Sequence, residues 1–141
     1  MTMTPIANRD LSFLVVEDNA ISRQLVEFLL KSLGYKNILC AEDGVDALKK
    51  TEEAGRLPDV VMCDWVMPVM DGLDFLNAVR TKGFSGIFIM VTAVSSIEAA
   101  HLAKTHGADG YLLKPVTKSG LRKAIEDATS RGSTPMAPPS I

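Results

Sequence analysis

The stretch from Val60 to Pro68 constrains the fold more than any other part of this sequence. Four apolar residues, Val60–Cys63, run without polar alternation into Asp64, and Pro68 ends regular structure soon afterwards. A short continuous apolar run is typical of a strand buried on both faces, as in a parallel sheet. The carboxylate that follows such a strand lies at the edge of the core, where open α/β sheets hold their ligand sites. The alternative interpretation of Asp64 is an ordinary aspartate that opens a turn.

Length and composition predict one globular domain. Of the 141 residues, 47% are hydrophobic and 23% charged, so the chain can bury a core without disulfides. The net charge is −2 and the lysines and arginines are scattered, which argues against nucleic-acid binding through clustered cations. Nothing at the N-terminus of the sequence resembles a basic region followed by an apolar signal segment, and no apolar run approaches the roughly 20 residues of a membrane span. We therefore expect a cytoplasmic protein with no nucleic-acid partner and no membrane span.

Apolar periodicity predicts five strands that alternate with five helices. The predicted strands are Leu11–Val16, Asn37–Ala41, Val60–Cys63, Gly86–Thr92 and Gly110–Leu113. The helices are expected to begin after Asn19, near Gly44, at Asp71 or Gly72, after Ser95 or Ser96, and at Thr117. In the first two helices the apolar residues at helical spacing are Ile21, Leu25, Phe28, Leu29 and Leu33, and then Val45, Leu48 and Ala54.

This alternation predicts an α/β fold, with a five-stranded, doubly wound parallel sheet flanked by five helices. Right-handed crossovers favour the flavodoxin-like strand order 2-1-3-4-5. Residues 11–130 are expected to form the domain, residues 1–10 a flexible leader, and residues 131–141 a disordered tail rich in proline and serine.

The predicted strand order brings polar residues from distant parts of the sequence to one edge of the sheet. Strands 1 and 3 become neighbours where the winding reverses, and their carboxyl ends carry Glu17-Asp18 and Asp64. Thr92 ends the fourth strand, and Lys114 follows the fifth. One polar residue at a strand end is easily explained by chance. Five polar residues at the same edge of the sheet are much harder to explain in that way. The sequence therefore predicts a functional site there.

The acidic part of this set suits a divalent cation. Neighbouring carboxylates repel one another, and Mg²⁺ resolves the repulsion because it prefers oxygen ligands. Asp18 and Asp64 are the expected direct ligands, together with the backbone carbonyl of Val66 in the loop after Asp64, and Glu17 is expected to act through water. Transition metals are disfavoured because neither histidine nor cysteine joins the cluster. No other cofactor is expected.

Lys114 and Thr92 add groups to the acidic cluster that could bind a phosphoryl group. The fifth strand is roughly 10 Å from the third, a gap that the long lysine side chain can bridge, and Thr92 offers a hydroxyl from the strand between. A metal, an ammonium and a hydroxyl around one carboxylate form a receptor for a phosphoryl group. Asp64 is then expected to be a nucleophile that forms an acyl phosphate.

The sequence resembles the receiver domains of two-component response regulators over about Leu11–Ser130. The matching motifs, in order, are Glu17-Asp18, Asp64 within Asp-Trp-Val-Met-Pro, Met70-Asp71-Gly72, Thr92-Ala93 and Lys114-Pro115. The resemblance implies Mg²⁺-dependent phosphorylation of Asp64 by a histidine kinase or a histidine phosphotransfer protein. It also implies that Thr92 turns towards the phosphoryl group, that Tyr111 changes rotamer, and that the Lys114–Pro115 peptide bond is cis. The fourth helix, fifth strand and fifth helix would form the face that a partner reads.

Three classes of function are compatible with such a site. The first is a signalling switch that changes its protein contacts on phosphorylation or passes the phosphoryl group onward. The second is a receiver-like scaffold that binds partners without phosphorylation; this alternative would be marked by loss of an acidic residue, Thr92 or Lys114, and all are present. The third is a phosphohydrolase, which would carry an acidic residue where this chain has Val66, so an enzyme is not expected. No output domain follows in this sequence, and we expect a stand-alone, chemotaxis-type receiver.

Val66 and Val94 depart from the chemotaxis-type pattern that the sequence otherwise resembles. In that subfamily, polar side chains two residues after the phosphorylated aspartate and two after the threonine position the water that hydrolyses the acyl phosphate. Valine can neither donate nor accept a side-chain hydrogen bond. The sequence therefore predicts slow self-dephosphorylation.

Overall fold

The computed structural model describes residues 9–132 and confirms the predicted fold class and strand order. The strands are β1 (Ser12–Val16), β2 (Asn37–Ala41), β3 (Val60–Cys63), β4 (Ile87–Thr92) and β5 (Gly110–Leu113). The helices are α1 (Ala20–Ser32), α2 (Gly44–Ala54), α3 (Gly72–Thr81), α4 (Ile97–Thr105) and α5 (Lys118–Gly132). All neighbouring strands pair in parallel, in the order β2-β1-β3-β4-β5. Within the described residues no helix has the length and apolar character needed to cross a membrane.

The predicted element bounds differ from the observed ones at a few ends. β1 begins at Ser12 rather than Leu11, β4 begins at Ile87 rather than Gly86, and α5 begins at Lys118 rather than Thr117. The predicted leader and tail lie almost entirely outside the described residues. Where the described chain begins, Arg9 Nε donates to the Leu33 carbonyl at 3.1 Å.

Helices cover the sheet on both faces, which explains why the strands are apolar at consecutive positions. Side chains of β3 alternate between the two sides, and all four are buried. One hydrophobic cluster joins the sheet to α2, α3 and α4, with Phe75, Leu76 and Phe88 among its largest members. The other joins the sheet to α1 and α5, and there the predicted anchors of α5 are buried: Leu121, Ile125 and Ala128.

The apolar residues at helical spacing in α1 only partly form its buried face: Leu33 is buried and Leu29 packs against the core. Val26 and Leu30 are buried against the sheet, whereas Ile21 is 78% exposed and Phe28 66% exposed, with Leu25 also exposed. The helix carries two apolar stripes, and periodicity alone does not tell which one faces the core.

The buried face of α2 also differs from the prediction. Gly44 and Ala47 are buried, Leu48 is half-buried, and Val45 and Ala54 are exposed. The helix begins so close to its neighbours that a Cβ on Gly44 would lie 2.7 Å from Met70 Sδ. Small residues therefore face inward where the helix starts.

Capping side chains fix the loops at the carboxyl edge of the sheet. Asn19, Asp43, Asp71 and Ser96 precede the first four helices, and each accepts a hydrogen bond from the backbone amide three residues later. Each cap closes the loop between a strand end and the next helix. These loops carry the polar residues of that edge.

Gly72 allows α3 to begin directly against the backbone that follows β3. Its amide donates to the Trp65 carbonyl at 2.7 Å. A Cβ at this position would overlap the Asp64 carbonyl oxygen and lie 2.7 Å from Trp65 Cα. Glycine is therefore needed here for close approach rather than for an unusual φ.

We expect Gly72→Ala to lower the free energy of unfolding by about 1–3 kcal/mol, because backbone atoms must move to admit the methyl group. Gly44→Ala is the matched control, since Gly44 is also the first residue of a capped helix, but its Cβ would meet the flexible end of Met70. Urea denaturation of both variants measures the difference. Equal losses would show that the contact of Gly72 with backbone has no special effect.

Candidate functional site

Three carboxylates meet at the carboxyl edge of the sheet, where β1 and β3 are neighbours. Glu17 and Asp18 follow β1, and Asp64 follows β3. One carboxylate oxygen from each residue lies within 4.8 Å of the others. Glu17 is 4% exposed and Asp64 7% exposed, whereas Asp18 lies at the surface. The cluster is thus an acidic pocket with two buried carboxylates and one at its mouth.

The Lys114 ammonium bridges the two buried carboxylates. Its Nζ donates to Glu17 Oε1 at 2.6 Å and to Asp64 Oδ2 at 2.8 Å. The side chain reaches them from the end of β5, and the Lys114–Pro115 peptide bond is cis, as the sequence resemblance implies. Because one ammonium stands beside three carboxyl groups, the pocket keeps an excess of acidic groups.

Burial and the lysine act in opposite directions on these ionisable groups. Burial raises the pKa of the Glu17 carboxyl above its ordinary value, although hydrogen bonds from Lys114 and the Asn19 amide oppose the shift. For Lys114, burial acts to lower the pKa, but the hydrogen bonds to Asp64 and Glu17 outweigh it, and the pKa is raised. Lys114 therefore stays protonated at neutral pH and supplies a fixed positive charge.

The backbone around the pocket holds both buried carboxylates in place. Glu17 Oε2 accepts from the Asn19 amide at 3.1 Å, and Arg23 Nη1 donates to the Glu17 carbonyl at 2.7 Å. Asp64 Oδ1 accepts from the Val66 amide at 3.3 Å. The Val66 side chain is exposed beside the pocket. Sequence reasoning missed Arg23, because nothing in its helical pattern distinguishes it from an ordinary surface cation.

A chain of contacts joins the pocket to β5 through the loop after β4. Thr92 is fully buried, and its Oγ1 accepts from the Val94 amide at 3.3 Å. The Tyr111 hydroxyl donates to the Val94 carbonyl at 2.7 Å. The Tyr111 ring stands edge-on to Trp65, with ring centroids 6.3 Å apart. Movement at the end of β4 can therefore reach Tyr111.

The donor set at this edge fits a hard divalent cation. The three clustered groups are carboxylates, and no histidine or cysteine ligates with them among the described residues. Mg²⁺ prefers such oxygen donors and retains several waters, so an open mouth at Asp18 suits it. The structure places six of the sequence-predicted site residues at this edge of the sheet: Glu17, Asp18, Asp64, Val66, Thr92 and Lys114. Tyr111 lies within β5, opposite Met90 of β4, and is joined to this edge through the Val94 carbonyl.

Comparison with known proteins agrees with this arrangement. Residues 13–126 match the family model of the response regulator receiver domain. The chain is 32% identical to chemotaxis protein CheY-3 of Vibrio cholerae over 131 residues, which cover 92% of this chain and 99% of the relative. It is 35% identical to chemotaxis protein CheY1 of Helicobacter pylori over 118 residues, which cover 82% of this chain and 94% of the relative.

A solved structure shows the same similarity. The crystal structure of Vibrio cholerae chemotaxis protein CheY4 aligns with a TM-score of 0.76 at 34% identity, over 84% of this chain and 98% of that one. The family match spans every residue of the acidic pocket and the contacts from Thr92 to Tyr111. Proteins of this kind are signalling proteins rather than enzymes in the usual sense. From its sequence and its fold, the chain belongs to the response regulator receiver domain family.

Proposed function

We propose that this protein is a cytoplasmic signalling switch in which Asp64 accepts a phosphoryl group from a histidine kinase or a histidine phosphotransfer protein. The observation that carries this proposal is the contact of Lys114 Nζ with Asp64 Oδ2 inside the acidic cluster. A nearly buried carboxylate beside a fixed ammonium has the charge arrangement that phosphoryl transfer needs.

In the proposed transfer, an Asp64 carboxylate oxygen attacks phosphorus in line with the bond to the donor histidine. The new P–O bond forms as the P–N bond breaks, and the electron pair returns to the imidazole nitrogen. Lys114 offsets negative charge on the phosphoryl oxygens, which otherwise resists approach to a carboxylate. The product is an acyl phosphate on Asp64.

Mg²⁺ would be held by Asp18, Asp64 and the backbone carbonyl of Val66, with Glu17 acting through water. When bound, the ion supplies charge neutralisation and a template for the phosphoryl oxygens. The excess of carboxylates over the single Lys114 ammonium supports this assignment.

The phosphoryl group can shift a conformational equilibrium only through contacts that differ between the two states. Thr92 would turn its hydroxyl towards the phosphoryl group, which alters its present contact with the Val94 amide. The Val94 carbonyl binds Tyr111, so the change reaches β5. The face formed by α4, β5 and α5 would then present the new state to a protein partner, or the phosphoryl group would pass onward in a relay.

With Mg²⁺ and acetyl phosphate, we expect one phosphoryl group to attach to each chain at Asp64. Intact-mass measurement should show the gain in wild type and no gain in Asp64→Asn, because the amide is not a nucleophile. Asp127→Asn, which removes an exposed carboxylate on α5, is the control and should label normally. No labelling of wild type, by acetyl phosphate or by phosphohistidine donors, would favour the scaffold alternative.

Mg²⁺ should change the emission of Trp65, the only tryptophan of the chain, because it follows Asp64 directly. We expect a saturable response that a chelator reverses. Asp18→Ala should abolish the response, since it removes one of three clustered carboxylates, whereas Asp127→Ala should leave it intact. A response that persists with unchanged midpoint in Asp18→Ala would place the cation elsewhere.

The acyl phosphate should be long-lived, because Val66 and Val94 cannot orient an attacking water through their side chains. Positioning supplies much of the catalysis in phosphoryl transfer. We expect the double variant Val66→Asn, Val94→Glu to lose the phosphoryl group at least about tenfold faster than wild type.

Val69→Asn is the matched control for this measurement. Val69 is exposed in the same loop, at φ 68°, a conformation that asparagine adopts more readily than valine. Phosphoryl loss in this variant should match that of wild type. Equal decay in all three proteins would show that the two valines do not set the lifetime.

A further inference from the structure

The two ends of α4 differ in how deeply they are buried against the rest of the domain. At the start of the helix Ser95, Ser96, Ile97 and Glu98 are exposed, and Ile97 is 76% exposed. Near its end Ala103 is fully buried, and Ala108 in the loop beyond is also buried, with 7% of its surface exposed. Ala103 is the one buried residue within α4, so this helix has little apolar surface with which to bind the sheet along its length.

Arg80, in the last turn of α3, binds the segment that follows α4. Its Nη2 donates to the Gly107 carbonyl at 2.6 Å and to Asp109 Oδ2 at 3.1 Å. Its Nη1 donates to the carbonyls of Phe84 at 3.0 Å and Gly86 at 2.7 Å, and the guanidinium lies over the Phe84 ring at 5.1 Å. One planar group thus joins α3, the loop before β4 and the loop after α4.

The partners of Arg80 are themselves fixed to the sheet. Asp109 Oδ2 also accepts from the Phe88 amide at 2.9 Å, and the Asp109 amide donates to the Phe88 carbonyl at 2.7 Å. A second link joins the same helix end to α3, because His106 Nδ1 lies 3.1 Å from Asn77 Oδ1. A guanidinium with several backbone acceptors in fixed directions cannot follow one of them without losing the others.

The opposite end of α4 leads to the phosphoacceptor pocket. Four residues, Ala93–Ser96, connect it to Thr92, and in that loop Val94 makes the contacts with Thr92 and Tyr111 described above. Ser96 caps the helix through the Ala99 amide, a bond that moves with the helix itself. The free end of α4 therefore lies next to the pocket, and the fastened end lies at the opposite edge of the sheet.

We propose that Arg80 makes the C-terminal end of α4 a fixed pivot, so that events in the pocket displace the helix from its N-terminal end. A protein that reads the switch would then meet the largest change around Ile97. The displacement of α4 rests on the proposed function. The pivot formed by Arg80, in contrast, is present in the protein before any phosphorylation. The two can therefore be tested separately.

Amide hydrogen exchange on the protein without phosphodonor tests the pivot. In wild type we expect His106 and Ala108 to exchange at least about tenfold more slowly than Ala100, although all three amides are hydrogen-bonded. Arg80→Gln and Arg80→Lys should remove most of this difference by speeding exchange at His106 and Ala108. Lysine keeps the charge but cannot bind four acceptors as the planar group does.

Lys31→Gln is the control, because it removes the same charge from an exposed ion pair with Glu27 on α1. It should leave exchange in α4 unchanged. Arg80→Lys provides the measurement if Arg80→Gln does not fold. Equal protection at the two ends of α4 in wild type, or unchanged protection in a folded Arg80 variant, would overturn the pivot.

NMR with Mg²⁺ and beryllium fluoride tests the movement. In wild type the amide shift changes in Ser95–Ala100 should exceed those in Thr105–Asp109, and in Arg80→Lys the two segments should respond alike. Equal changes at both ends in wild type, or the wild-type profile in Arg80→Lys, would overturn the proposed movement. Absence of any response at Asp64 and Trp65 would instead contradict the proposed function, with the exchange data still deciding on the pivot.

Discussion

The bridge from the Lys114 ammonium to Glu17 and Asp64 is the interaction on which the carboxyl edge of the sheet depends. Two carboxylates are nearly buried there, and removing the partner of a buried charge destabilises a protein by about 3–5 kcal/mol. The compensating cation comes from β5, two strands away from β3. The strand order and the charge balance of the pocket are therefore parts of one arrangement.

This arrangement sets a polar pocket on an otherwise apolar sheet. Below it, β3 is buried at every position, and the largest side chains of the core fill both faces. Such a core tolerates local repulsion between carboxylates at its edge, because the folding energy comes from the apolar surface beneath. The same rigidity keeps the Lys114 ammonium in contact with Asp64. The buried core therefore fixes the directions of side chains around the pocket, but it does not exclude water from the whole site.

The predictions from sequence succeeded where one physical rule decided the outcome. The apolar run of β3 indicated a strand covered on both faces, and the alternation of elements then limited the strand order. Once the order was set, the meeting of Glu17, Asp18 and Asp64 followed, because parallel strands end at the same edge. This acidic cluster was predictable because its residues come directly after strand ends.

Where two physical rules compete, the sequence alone did not predict which side chains are buried or which groups they contact. Helix α1 has two apolar stripes, and the choice of Val26 over Ile21 as a core residue depends on how the helix lies on the sheet. From the sequence alone, Arg80 is indistinguishable from an ordinary surface cation at the end of α3. Its acceptors are mostly backbone carbonyls, which any sequence would supply. Its role depends on where the end of α3 and two loops meet. Local sequence patterns carry no information about this tertiary arrangement.

The position of Arg9 has a consequence for how this domain can be joined to other modules. Its hydrogen bond to Leu33 holds the entering chain at the end of α1, and β1 then crosses the sheet to reach the pocket only at Glu17. Helix α5 follows Lys114 in the chain and returns along the sheet, where its buried residues pack in the same hydrophobic cluster as α1 and Tyr35. Both ends of the described chain therefore point away from Asp64. A fluorescent protein or affinity handle joined directly at residue 9 or residue 132 would therefore start on the side of the domain opposite to the mouth of the pocket.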